Sequence, residues 1–362
     1  MLFRGLDNPR NWCFVNSAVQ ALSATKAFQS WLESICVEND DSLAVGNNLK
    51  FLIAELNRPS VEMSSEILSC ANLLNALVFK HGWTRECKQQ DVHEALILLF
   101  EAILSEMSSR SAQENHLNFK ISSKASENNA RIRTVSKVKV SLPFSMYAVS
   151  VMKCLSCKWT RKPSKIESAR SISMYPAFAQ TVPASCELQL DDLLRRHFEG
   201  ELLTGVNCEN CSKLAGGVPI NTSQKRSFKI LKAPRCLMLH LNRTFWSPFG
   251  EPRKLLNHVA FPVMLNLLPF MHEYFKLTSD TNRFWYKLSA VISHLGASNE
   301  FGHYITYKRV KNKERERWLC ISDEEVEYCS VDAVLNSSFY ILVYDRFDGR
   351  IDNTANYVKS KL

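Results

Sequence analysis

The chain has 362 residues, 46% of them hydrophobic and 22% charged, which supports a large packed core and excludes a disordered or fibrous chain. No apolar run reaches the roughly 18 residues of a membrane span; the best stretch, residues 95–104, is broken by Glu101, and no export leader is read at the start. The twelve cysteines are therefore expected to be reduced thiols or metal ligands in an intracellular, cytoplasm-facing protein rather than a disulfide framework.

The first third reads as helical. After Cys13, Phe14, Ala18, Ala21 and Leu22 fall at helical spacing, and Phe28, Trp31 and Leu32 extend the pattern. A second helix is predicted from about Gln90 to Met107, with Val92, Ala95, Leu96, Leu99 and Ile103 on one stripe. Residues 108–136, rich in Ser and Asn, read as a loop or linker. From about residue 138 the period changes: 138–140 and 147–152 alternate as strands do, and 190–198 reads as a short helix. Four strands follow, at 236–241, 286–292, 303–310 and 339–344. Leu237, Leu239 and Leu241 share one face, which predicts a sheet with one buried side. The class is α+β: a helical first part, a cysteine-bearing middle and a mainly antiparallel last part.

The net charge of +9 is concentrated between Lys120 and Arg170, where twelve basic residues face only Glu127 and Glu167. This is read as a solvated face in preference to a surface steering an acidic partner. The segment lacks the interleaved aromatics of a nucleic-acid module, so no nucleic-acid partner is expected.

Three positions suggest thiol chemistry. Cys13 lies where the polar turn Asp7-Asn8-Pro9-Arg10-Asn11 gives way to a helix, whose free N–H groups would stabilise a thiolate. Asn8, in the same turn, could supply an amide to a tetrahedral oxyanion. Gly302-His303-Tyr304 opens a strand after a Gly-containing loop, a place where an imidazole is held firmly yet accessibly. The hairpin that follows brings residues between about 320 and 325 opposite His303, so Ser322, Asp323, Glu324 and Glu325 are candidates to orient it. Separately, Cys154-Leu155-Ser156-Cys157 and Cys208-Glu209-Asn210-Cys211 form two C-x-x-C turns, which suit a closed four-thiolate structural zinc. Cys36, Cys70, Cys87, Cys186, Cys236, Cys320 and Cys329 are expected to be core thiols. His93 is expected to be a hydrogen-bonding strut, and His240 and His294 to be strand residues.

These segments together resemble the ubiquitin-specific proteases. Gly5-Leu6-Asp7-Asn8-Pro9-Arg10-Asn11-Trp12-Cys13-Phe14-Val15-Asn16-Ser17 is similar to that family's cysteine box, and Gln89-Gln90-Asp91-Val92-His93-Glu94 to its second motif. Leu239-His240-Leu241-Asn242-Arg243, Tyr286–Val291, Gly302-His303-Tyr304, Trp318 and Tyr340–Tyr344 follow in family order. The resemblance implies a papain-like cysteine peptidase shaped as a hand. Its helical thumb would take residues 1–136 with a polar linker, zinc-ribbon-like fingers 137–232 and an antiparallel-sheet palm 233–362. It implies hydrolysis of the isopeptide bond after ubiquitin's terminal glycine, with Cys13 as nucleophile, His303 as base, Asn8 as oxyanion donor and Ser322 as the third member. Asp323 is the runner-up orienting group. Ubiquitin and ubiquitinated proteins are the implied partners, and a monomer without a membrane span is expected. Where most of the family carries Asp or Asn, this chain has Ser322, a trait similar to a mitochondrial outer-membrane member. Two departures, Arg10 for Gly and Trp12 for Thr, keep open an alternative: a ubiquitin binder with feeble turnover or none.

Overall fold

The computed structural model describes residues 3–36, 41–58, 67–83, 90–122, 141–161, 166–176, 182–247, 250–272, 282–296, 301–312 and 315–349, with 111–122 as backbone only. Cys87, Gln89, the 138–140 strand and residues 123–140 of the basic stretch lie outside them. The chain forms two compact units, Met1–Pro143 with Ala290–Val334, and Phe144–Ser289 with Leu335–Leu362.

The first unit carries helices α1 (Cys13–Leu22), α2 (Lys26–Ile35), α3 (Ala44–Asn57), α4 (Ala71–His81) and α5 (Val92–Ser122). Every residue of α1 is buried, because this uncharged decamer is packed by α3, α5 and a strand at once. The sequence pattern ran α1 and α2 together; the structure separates them. Ser23 Oγ donates to the Gln20 carbonyl (2.7 Å) and Thr25 Oγ1 to that of Leu22 (2.9 Å), and Thr25 turns extended to start α2. The linker expected at 108–136 is corrected over its first half: α5 continues to Ser122, since no Gly or Pro interrupts residues 108–122.

The strands begin with β1 (Met146–Cys154), β2 (Thr160–Arg161), β3 (Ile166–Ala169), β4 (Ile172–Met174), β5 (Leu188–Gln189), β6 (Glu201–Asn207), β7 (Asn221–Lys232) and β8 (Cys236–Leu241). Short strands β9 (Thr244–Trp246), β10 (Pro252–Lys254), β11 (Val259–Ala260) and β12 (Met264–Asn266) follow. Then come β13 (Trp285–Leu295), β14 (His303–Asn312), β15 (Arg315–Ser322), β16 (Glu325–Cys329) and β17 (Phe339–Arg346). Helices α6 (Leu190–Glu199), α7 (Glu209–Leu214) and α8 (Val331–Leu335) are interspersed. Strand β13 contributes residues to both units.

In the first unit the end of β13, then β14, β15 and β16 form an antiparallel meander, with Ala290 opposite Lys308, Thr306 opposite Ile321 and Ser322 opposite Glu325. Strand β14 lies on α1, and Thr306 Oγ1 donates to the Ser17 carbonyl at 3.2 Å. In the second unit β2, β1, β7 and β6 form one antiparallel sheet, with β3 also paired to β1, while β8 runs between antiparallel β17 and parallel β4. The one-sided burial expected for β8 is corrected: all six residues are buried, as befits a central strand covered on both faces. Arg243, two residues past the end of β8 and 2% exposed, donates to the carbonyls of Phe339, Leu255 and Asn257 and so pins two segments without a carboxylate partner in those bonds. Cys186 is exposed and Cys320 and Cys329 are half-buried, whereas Cys36, Cys70 and Cys236 are core as expected.

Candidate active site

The polar turn, the start of α1 and the β14–β15 hairpin all belong to the first unit. Cys13 is the first residue of α1 and 3% exposed. Burial pushes its thiol up from the ordinary value, and Asp323 pushes the same way, while backbone N–H groups of Tyr304, Phe14 and Cys13 itself pull it down. The helix start thus acts in the direction expected, but desolvation outweighs it. The Tyr304 contact places the sulfur beside the residue next to His303.

His303 opens β14. Its Nε2 stands 2.9 Å from Ser322 Oγ at the end of β15, within hydrogen-bonding distance, and 3.8 Å from a carboxylate oxygen of Asp323. The serine therefore takes the hydrogen bond and the aspartate supplies a charge just beyond it. With Nε2 so engaged, Nδ1 is the ring nitrogen left for a thiol proton. Gly302 permits this entry: a methyl there would overlap the Leu295 carbonyl and the His294 ring.

Asp323 is held at more points than the sequence discloses. It occupies the left-handed region (φ 51°) in the turn between β15 and β16, and its carbonyl accepts the Leu6 N–H at 2.9 Å. Gly5 makes that approach possible, because a Cβ at residue 5 would overlap the Asp323 carbonyl. One carboxylate oxygen accepts from the Asn8 side-chain amide (2.7 Å) and the other from that of Asn16 (2.8 Å). Asn8 Oδ1 in turn accepts the Trp12 backbone N–H, and Asn16 Nδ2 also donates to the Asp7 carbonyl at 2.8 Å. Asn8 thus reaches the site, with one of its two amide protons spent on Asp323. Arg10, which stands where the resembled family has Gly, is not in the left-handed region: the residue of the turn that takes it is Asn11 (φ 58°), which tolerates it. Neither Asn16 nor Gly5 was singled out from the sequence. The one available signal was an asparagine three positions past the thiol, on the helix face that also carries Ser17 and Gln20.

The four C-x-x-C cysteines come together in the second unit, at the ends of β1 and β6 and on α7. Their sulfurs all lie within 4.8 Å of one another, with Cys154–Cys211 at 3.9 Å and Cys157–Cys208 at 3.7 Å. A tetrahedron of thiolates about 2.3 Å from zinc has an edge of about 3.8 Å, so the donors fit that metal. The Thr222 hydroxyl, foremost, lowers the Cys154 thiol to about 6, and hydrogen bonding to Cys157, foremost, raises Cys211 to about 12. His93 has its ring pushed toward neutrality by burial, and His240 and His294 lie buried on β8 and β13.

A buried thiol at a helix start, an imidazole with a hydroxyl partner and an amide-bearing turn are the groups a cysteine-nucleophile hydrolase employs. The family profile described as Ubiquitin carboxyl-terminal hydrolase matches residues 4–344. The chain belongs to that family of cysteine-type hydrolases. It is 25% identical over 467 residues to human Ubiquitin carboxyl-terminal hydrolase 30, with 99% of this chain and 87% of the relative covered. It is 28% identical over 354 residues to Probable ubiquitin carboxyl-terminal hydrolase 16 of Schizosaccharomyces pombe, covering 94% of this chain and 66% of that one. Among solved structures, the SAGA Ubp8/Sgf11/Sus1/Sgf73 DUB module bound to ubiquitin aldehyde shares the fold. Its TM-score is 0.70 at 20% identity, over 96% of this chain and 70% of that one.

Proposed function

We propose that the chain hydrolyses the isopeptide bond after the C-terminal glycine of ubiquitin, in protein conjugates or polyubiquitin, through an acyl-enzyme on Cys13. The observation that carries the residue roles is the His303–Ser322 contact of 2.9 Å beside a thiol that accepts the N–H of Tyr304. His303 takes the Cys13 proton as sulfur attacks the glycyl carbonyl, forming the C–S bond and a tetrahedral oxyanion. The second amide proton of Asn8 and the α1 N–H groups are the donors for that oxyanion. Collapse expels the substrate amine, protonated by His303; water, deprotonated by His303, then releases ubiquitin's carboxylate and regenerates the thiol. Ser322 accepts the imidazole N–H and fixes its tautomer, and Asp323 supplies the negative charge a serine lacks.

The four cysteines are proposed to hold a structural zinc, which, with every position filled by thiolate, takes no part in these steps. The division into thumb 1–136, fingers 137–232 and palm 233–362 is proposed on family resemblance. So are a monomeric state and a station at the mitochondrial outer membrane, the last on likeness to hydrolase 30 alone. Among the described residues no helix is long and apolar enough to cross a membrane. The Ubp8 module is named with further chains, which favours testing for partner subunits as well.

A fluorogenic amide of the ubiquitin C terminus tests the reading. Turnover abolished by Cys13→Ala, with an electrophile-tipped ubiquitin attached at Cys13, is the expected result. Trp12, beside the thiol where the resembled family has Thr, is the ground for one competing reading, a binder with feeble turnover. Ubiquitin bound tightly without turnover, or an adduct on another cysteine, would establish that alternative.

A further inference from the structure

Asn16 is one of three buried polar residues on α1, with Ser17 and Gln20. It is 2% exposed in a helix whose other residues are mostly apolar, and its Oδ1 is buried without a hydrogen-bond partner, as is Gln20 Oε1. An orphaned buried acceptor is costly, so the side chain must gain through its other end. That end, Nδ2, joins the Asp7 carbonyl and Asp323 Oδ1, both at 2.8 Å. Asp323 Oδ2 is thereby left to Asn8 at 2.7 Å and lies 3.8 Å from His303 Nε2. A carboxylate turns freely about its last torsion unless both oxygens are engaged. Asn16 occupies one oxygen, and so determines where the other one points.

We propose that Asn16 is a positioning residue for the reaction: it clamps the Asp323 carboxylate so that the opposite oxygen aims at both the Asn8 amide and the His303 imidazole. The proposal rests on the roles given above to Cys13, His303 and Asn8. It extends them by making the oxyanion donor and the base share one support, anchored one helical turn behind the nucleophile. Groups that are held within a few tenths of an ångström by such outer partners lose activity without losing substrate when the partner goes.

Turnover of the fluorogenic ubiquitin amide by the full chain is the assay. Asn16→Ala should lower kcat by about 10- to 100-fold, the range typical of outer-shell partners, with KM changed less than about twofold. In an Asp323→Ala background the same change should cost less than about twofold, because its target is gone. Asn16→Asp supplies a readout that a purely structural clamp would not move. The introduced carboxyl is isosteric but, ionised, repels Asp323; protonated, it regains a donor. Its kcat relative to the unmodified chain should climb as pH falls from about 8 to about 6, while the Asn16→Ala ratio stays level. The titratable neighbours that face this point are Asp323, Asp7, Cys70, His303 and Cys13, and both variants retain all of them. Should Asn16→Ala fail to fold, the isosteric variant carries the comparison by itself. Unchanged kcat in Asn16→Ala, an equal cost with and without Asp323, or a flat pH ratio in Asn16→Asp each overturns the proposal. Turnover that needs Cys13 yet ignores Asn16 overturns it alone; turnover absent from the unmodified chain overturns the site reading with it.

Discussion

Lys308 offers a test of how the base-bearing strand is seated. It lies on β14, five residues past His303, 2% exposed, and its ammonium donates to Asn57 Oδ1 at 2.8 Å. Burial lowers it from 10.5 to about 7. Between those two values the unfolded chain carries a proton that the folded one does not, so stability falls as pH drops from about 10.5 to about 7. Below about 7 both states are protonated and the loss is complete. The shift of about 3.5 units corresponds to about 5 kcal/mol, as an order of magnitude. Lys308→Met keeps the length of the side chain and removes the proton. It strands Asn57 Oδ1, at a cost of about 1 kcal/mol, since Asn57 is only half-buried and water can reach it. The variant should therefore be more stable than the parent near neutrality by a few kcal/mol. That advantage should shrink by about 1.4 kcal/mol for each pH unit above 7. Urea unfolding of both chains at several pH values between about 7 and 9.5 measures it, and taking the difference cancels thiols that titrate in the same window. An advantage independent of pH, or a less stable variant at pH 7, would show that the ammonium is solvated and the strand less tightly seated than described.

Other outcomes follow from the same geometry. Elemental analysis of the purified chain should find one zinc, lost with the paired change Cys157→Ser and Cys211→Ser. Unfolding of that variant should come several kcal/mol more easily, and a metal-free parent of equal stability would refute the site. Ser322→Ala should lower kcat about 10-fold or more, and Asp323→Ala further still, because the latter also frees Asn8 and Asn16; steady-state kinetics with the order reversed would contradict the shared-support picture. Gly5→Ala forces a methyl against the Asp323 carbonyl and should destabilise the chain by a few kcal/mol while lowering turnover. A melting point and kcat equal to the parent's would show that the turn readily gives way.

Much of the candidate site was legible because it is local. A cysteine between a polar turn and an apolar helix, a glycine-histidine pair opening a strand, and two C-x-x-C turns are patterns over a few residues. The hairpin arithmetic reached further, since an antiparallel register carries His303 to residues near 322 by counting alone. It could not choose among the residues in that window. Ser322 and Asp323 are neighbours in the chain, and which one meets the imidazole depended on the left-handed turn at Asp323.

What required the fold was every balance between opposing terms. The helix start at Cys13 is visible in sequence, but the burial that overrides it comes from strands and helices distant in the chain. Asn16 and Gly5 resemble incidental residues until Asp323, about three hundred positions away, is brought against them. A sequence records which groups can donate or accept and how adjacent residues repeat. Desolvation and hydrogen-bond sharing depend on distances that only chain closure sets, and these decided which donors Asp323 holds and that burial pushes the Cys13 thiol up.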